Sequence, residues 1–174
     1  PYWETVDQAR RELEGLEALA RKYGIKFCYH THSHYFGQNA AALMDLLQGR
    51  DPTYIGAYLD TGHLYFCGEG FPMAIDVVGK YLSMASLKDT CFVRQNPPEE
   101  ELPVWKRTIV PAGHGVVNWQ DVFTGLLKAG YDGTCSAHCE FHADTPEAFH
   151  ELQKREVAFL RQELATARAA LEAV

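Results

Sequence analysis

Short apolar runs and amphipathic stretches alternate along this sequence from one end to the other, and no two-residue hairpin signal separates any pair of the apolar runs. That alternation predicts a parallel sheet, because a parallel neighbour is reached only through a crossover long enough to hold a helix. The strand-like runs cover residues 25–29, 54–59, 82–87 and 134–137. Between them lie helical patterns. Val6, Ala9, Leu13, Leu16, Ala20 and Tyr23 form one stripe that Gly24 ends, Asn39 suits the cap of a helix over 40–48, and Pro72 opens another that runs to Tyr81. Asn118 suits the cap of a helix to Ala129, and residues 146–171 form a long amphipathic helix whose charges face solvent. The expected fold class is therefore α/β, one domain over residues 1–174, with helices packed outside a parallel sheet.

The four strand-like runs share the way they end. The first leads into His30, Thr31, His32, Ser33 and His34, and if the extended conformation continues, the three imidazoles lie on one side. The second leads into Asp60, Thr61, Gly62 and His63, the third into Lys88 and Asp89, and the fourth into His138, Cys139 and Glu140. A carboxylate and a neutral imidazole a few residues apart suit Mn, Fe, Co or Zn, and a histidine equally serves as a general base. An Asp three residues before a His is also the pattern of an ordinary capped turn. Lys88 suits an oxyanion or a phosphate, with a surface ion pair as the structural alternative. Ligands of parallel α/β folds bind at the carboxyl ends of the strands, so four polar strand ends point to one site.

Composition narrows the ligand. The formal net charge of −7 argues against a nucleic-acid backbone as the main partner, and a small neutral or weakly charged molecule fits better. No apolar run approaches the ~18 residues of a membrane span. The five cysteines are odd in number and form no C-x-x-C; Cys28, Cys91 and Cys135 sit in apolar runs and read as buried thiols in a reducing, cytoplasmic compartment. No dinucleotide, Walker or G-x-S-x-G motif is present. Residues 90–116 carry Pro97-Pro98, an acidic run at 99–101 and Trp105, and read as one long βα loop, a candidate lid. The sequence begins with a proline and not a methionine, from which it is expected to be the C-terminal part of something longer.

Taken in order, Tyr29-His30-Thr31-His32, Leu59-Asp60-Thr61-Gly62-His63, Leu87-Lys88-Asp89, the run from Pro111 to Trp119, and Gly130-Tyr131-Asp132-Gly133 followed by His138-Cys139-Glu140-Phe141 resemble the xylose-isomerase-like TIM barrels. That superfamily includes sugar phosphate isomerases and epimerases, an inosose dehydratase and AP-endonuclease-like enzymes. The resemblance covers nearly the whole chain and is similar to strands five to eight of a (β/α)8 barrel. It implies a C-terminal half-barrel, a missing N-terminal half as partner and, because open sheet edges invite pairing, a homo-oligomer.

The resemblance further implies one divalent metal (Mn, Co, Zn or Fe), held by Glu, Asp, His and Glu from successive strand ends. Asp60 falls on the second ligand position and His63 on the histidine that accompanies it. The other positions depart from the pattern: His30 stands for the first Glu, Ser86 for the His, and His138 for the last Glu, with Glu140 two residues on. Ligands are thus expected at His30, Asp60 and His138 with His63 supporting, acid–base work and oxygen binding at His30, His138, Glu140 and Lys88, and substrate contacts at His32, His34, Lys88 and His114. Either His30 and His138 move the proton, or Glu140 and His32 have taken over, or catalysis is lost. The implied activity is a sugar or keto-sugar isomerase or epimerase that transfers a proton α to a carbonyl; a keto-sugar dehydratase and a non-catalytic sugar-binding domain are the alternatives.

Overall fold

The computed structural model describes residues 1–33 and 36–173. It opens with helix α1 (Tyr2–Tyr23), which buries Val6, Ala9, Leu13 and Ala20 and is stopped by Gly24 in the left-handed region at φ 64°. Strand β1 (Phe27–His30) follows, then α2 (Ala40–Leu47), where Asn39 Oδ1 accepts the Ala42 N–H at 2.9 Å. Next come β2 (Ile55–Asp60), the six-residue helix α3 (Thr61–Phe66), α4 (Phe71–Val78) with a 3-10 turn over Gly79–Tyr81, and β3 (Leu82–Leu87). Strands β4 (Asp89–Arg94) and β5 (Trp105–Val110), helix α5 (Trp119–Lys128), strand β6 (Thr134–Ala137) and helix α6 (Pro146–Glu172) complete the order.

The main sheet has the order β1-β2-β3-β6, and all its pairs are parallel. Its two faces differ as a period of two requires. Ile55, Ala57 and Leu59 of β2 and Ala85 and Leu87 of β3 join Leu43, Leu46, Leu47, Phe71, Val78 and Val122 of the helices in one core. Burying each large side chain of that set contributes about 1.5–3 kcal/mol relative to exposure. The opposite face carries His30, Tyr58, Asp60 and Ser86, brought side by side by the registers His30↔Tyr58 and Asp60↔Ser86.

The segment expected as a loop is mostly a hairpin. Residues on its two arms pair antiparallel from Asp89↔Val110 to Arg94↔Trp105. No periodicity betrays it, because Phe92, Val93 and Trp105 are 43%, 42% and 57% exposed, so its arms lack a buried face. The cysteines are not the buried thiols expected: Cys28 and Cys91 are half-buried and Cys135 is exposed, Cys28 and Cys135 lying on the outer strands β1 and β6 of the main sheet and Cys91 on the two-stranded hairpin. No helix among the described residues is long and apolar enough to cross a membrane.

Asp89, at the start of β4, ties the base of the hairpin to the segment that leads from β5 into α5. Its buried carboxylate accepts N–H bonds from Gly113, Gly115 and Trp119 Nε1 on Oδ2, at 2.9, 3.0 and 3.2 Å, and from Thr90 and Val117 on Oδ1. A Cβ on Gly115 would stand 2.2 Å from Asp89 Oδ1, which explains the glycine in the Pro111–Trp119 run.

Candidate active site at the strand ends

Asp60 is the last residue of β2 and the cap of α3, and its two oxygens do different work. Oδ1 accepts the His63 N–H at 3.0 Å, so the capped-turn reading holds for that oxygen. Oδ2 faces the polar side of the sheet, 3.1 Å from His30 Nε2, 3.0 Å from Lys88 Nζ and 3.8 Å from His138 Nδ1. Burial works against the charged form, yet the His30 bond, the Lys88 charge and the His63 N–H hold this carboxyl well below the usual carboxylate range. Its backbone is fixed too, the Asp60 N–H donating to Thr31 Oγ1 at 2.8 Å.

Lys88 is no surface ion pair. Its side chain is 1% exposed, and Nζ reaches Asp60 Oδ2, Glu140 Oε2 at 3.0 Å and His63 Nε2 at 3.2 Å. Thr61 Oγ1 clamps its backbone, accepting the Lys88 N–H at 2.9 Å and donating to the Lys88 carbonyl at 2.6 Å. An ammonium offers only donors, which aims a donor at His63 Nε2, while Nδ1 takes the Ser33 N–H at 3.3 Å and lies 2.9 Å from Ser33 Oγ. Burial, reinforced by the Lys88, His32 and His30 charges and opposed by Asp60, pushes His63 down to about 4. It is therefore neutral at pH 7. Its ring lies 3.9 Å, centroid to centroid, from that of His32.

His138 and Glu140 come from the turn after β6. His138 Nε2 is 2.9 Å from the Tyr58 hydroxyl, while Nδ1 lies 3.2 Å from Glu140 Oε1. That Nδ1 is buried and lacks a well-aligned hydrogen bond to any described residue. Burial lowers His138, with Lys88 adding to it and both carboxylates opposing. Tyr58 serves either tautomer, since a phenol donates to a bare Nε2 and accepts from a protonated one. Glu140 is about half exposed; burial raises it, but the Lys88 bond and charge and His138 bring it below its ordinary value.

Of the residues expected at the site, His30, His32, Asp60, His63, Lys88, His138 and Glu140 meet in one network. His114 stands exposed on the turn after β5, its N–H bonded back to Pro111 O. His34 lies outside the described residues. Sequence reasoning missed Tyr58, whose ring stacks on His30 at 4.3 Å, although period two places it on the face of Asp60. It also missed Ser33 and Thr61, for which no sequence signal exists.

His30, Asp60 and His138 each offer a ligand atom, and these atoms lie within 4.8 Å of one another. Two imidazoles and a carboxylate, one of the imidazole nitrogens without an aligned partner, fit a divalent cation. Ser86 Oγ, beside Asp60 in the register, is buried and likewise unbonded among the described residues.

The model of the xylose isomerase-like TIM barrel family matches residues 1–163. The chain belongs to that family. An inosose dehydratase of Bacillus cereus (strain AH820) is 30% identical over 138 residues, which span 75% of this chain and 45% of that protein. The chain thus spans about half the length of the curated relatives it matches. A solved D-tagatose 3-epimerase-like protein superposes with a TM-score of 0.73 at 17% identity, covering 95% of this chain and 57% of that one. A xylose isomerase-like TIM barrel protein from Mycobacterium smegmatis, solved in complex with magnesium, superposes with a TM-score of 0.64 at 18% identity, covering 91% and 51%. The α/β fold with its parallel sheet is that of the family. In such barrels the strand ends of one sheet face a shared site, and here they carry the whole polar network.

Proposed function

We propose that this chain carries the strand-end site of a carbohydrate enzyme that removes a proton α to the carbonyl of a small sugar or keto-sugar. In this reading it corresponds to strands five to eight of the barrel. The observation that carries the proposal is the Asp60–Lys88–Glu140 arrangement: a buried cation between two carboxylates, one enclosed and one half exposed. Lys88 is held where it can donate to an oxygen that gains negative charge as the proton leaves. Glu140, ionised at pH 7 and reachable from solvent, is the proton acceptor, and the Lys88 ammonium holds its Oε2 at 3.0 Å. His63 and, while no cation is held, Asp60 keep Lys88 in place. His30, Asp60 and His138 would hold the divalent cation; when bound it supplies Lewis-acid polarisation of substrate oxygens.

The proton transfer admits isomerisation, epimerisation or loss of water. The 30% identity to an inosose dehydratase favours elimination, with isomerase or epimerase as the second reading. Incubation with ketoses and inososes in Mn²⁺ buffer, followed by NMR, separates these outcomes. Loss of water supports elimination, an inverted or isomerised sugar supports the second reading, and binding without turnover contradicts both. Glu140→Gln should lower kcat by about 100-fold or more, the usual weight of a general base.

A further inference from the structure

Asp60 Oδ2 is the crowded point of this site. His30 Nε2 at 3.1 Å and Lys88 Nζ at 3.0 Å both address it, and Oδ1 is occupied by the His63 N–H. Oδ2 is also the oxygen that faces His30 and His138 and is therefore the one the three-residue set would offer a divalent cation. An ammonium and a divalent ion at contact distance from one oxygen repel strongly in a buried setting. Lys88, however, has a second seat. Glu140 Oε2 lies at the same 3.0 Å and stands outside the three-residue set. The Lys88 backbone is clamped by Thr61, so a change of seat involves the side chain alone.

We infer that Lys88 and a divalent cation compete for Asp60 Oδ2, and that Glu140 receives the ammonium when the cation is held. The inference rests on reading His30, Asp60 and His138 as a cation site. Lys88 neutralises Asp60 in the cation-free chain and so keeps the buried carboxylate compensated. When the cation binds, the two positive charges are kept apart by the shift toward Glu140. Lys88 is then both a gate on loading and, drawn to the rim, a group placed nearer the substrate.

The test is calorimetric titration with Mn²⁺ or Zn²⁺ alone, on the unaltered chain and on Lys88→Met, Glu140→Gln, the double variant and Asp60→Asn, with circular dichroism to certify folding. Lys88→Met should tighten binding by about tenfold or more, the scale of one removed unit charge near the ion. Glu140→Gln should weaken binding while Lys88 is present and have no effect in the Lys88→Met background, which is the signature of coupling. Equal affinity of the unaltered chain and Lys88→Met, with binding lost in Asp60→Asn, would overturn the competition and leave the cation site standing. Binding to none of the variants would remove the cation site and the inference together. A Glu140→Gln effect that persists without Lys88 would mean that Glu140 attracts the ion directly and is not a seat. Should Lys88→Met fail to fold, Lys88→Gln takes its place in both arms.

Discussion

Gly62 has no room for a side chain: a Cβ there would stand 2.6 Å from Thr90 Cγ2 and 3.0 Å from Lys88 Cγ. Gly62→Ala should therefore displace the Lys88 stem, costing about 1–3 kcal/mol of stability by overpacking and weakening turnover more than folding. Denaturant melts and kcat on the same sample check the two effects. His63 gives a second prediction at this scale. In the unfolded chain it takes up a proton near pH ~6.5, but in the folded chain only at about 4. Between those values the unfolded state binds more protons, so stability is retained above the unfolded value and falls as pH drops toward the folded one. His138, also lowered, adds the same sign. Urea titrations at pH 7 and pH 5 should show the loss, and His63→Gln should flatten the slope. Asp60, His30, Lys88 and Glu140 were legible because charged or imidazole side chains at the ends of apolar runs are uncommon by burial alone. That Asp60 both caps a helix and faces the cluster was not, since the pattern is the same for either use.

Among the elements, the parallel strands were legible because apolar runs of four to six residues mark them. Helix α3 was not, being six residues long and too short to show a period. The β4–β5 hairpin was missed for the reason its arms give: both faces are partly exposed, and the antiparallel pair is held by its ladder and by Asp89 at its base. Asp89→Asn removes a charge that gathers five N–H donors and turns an amide toward them. It should cost about 2–3 kcal/mol, and hydrogen exchange should speed up across residues 110–117 while the main sheet stays protected. Unchanged exchange there would show that the hairpin stands without its anchor.

At the scale of the whole molecule, two strands, β1 and β6, end the main sheet. Beside β6 lies a cavity of about 670 Å³ lined by Leu87, Leu126, Ala137, Leu160 and Leu164 among others. Open edges beside apolar surface favour association. Sedimentation velocity on the chain should show a mass above 19.6 kDa that rises with concentration; a monomer at every concentration would count against the expected pairing. Whether one network centred on Asp60 moves a proton α to a carbonyl is read in D₂O. With a keto-sugar or inosose substrate and Mn²⁺, the chain should place deuterium at the α carbon or, as the α proton leaves and the hydroxyl on the β carbon is expelled, release water, and Asp60→Ala should abolish both. Exchange or water loss that survives Asp60→Ala would contradict that role for Asp60.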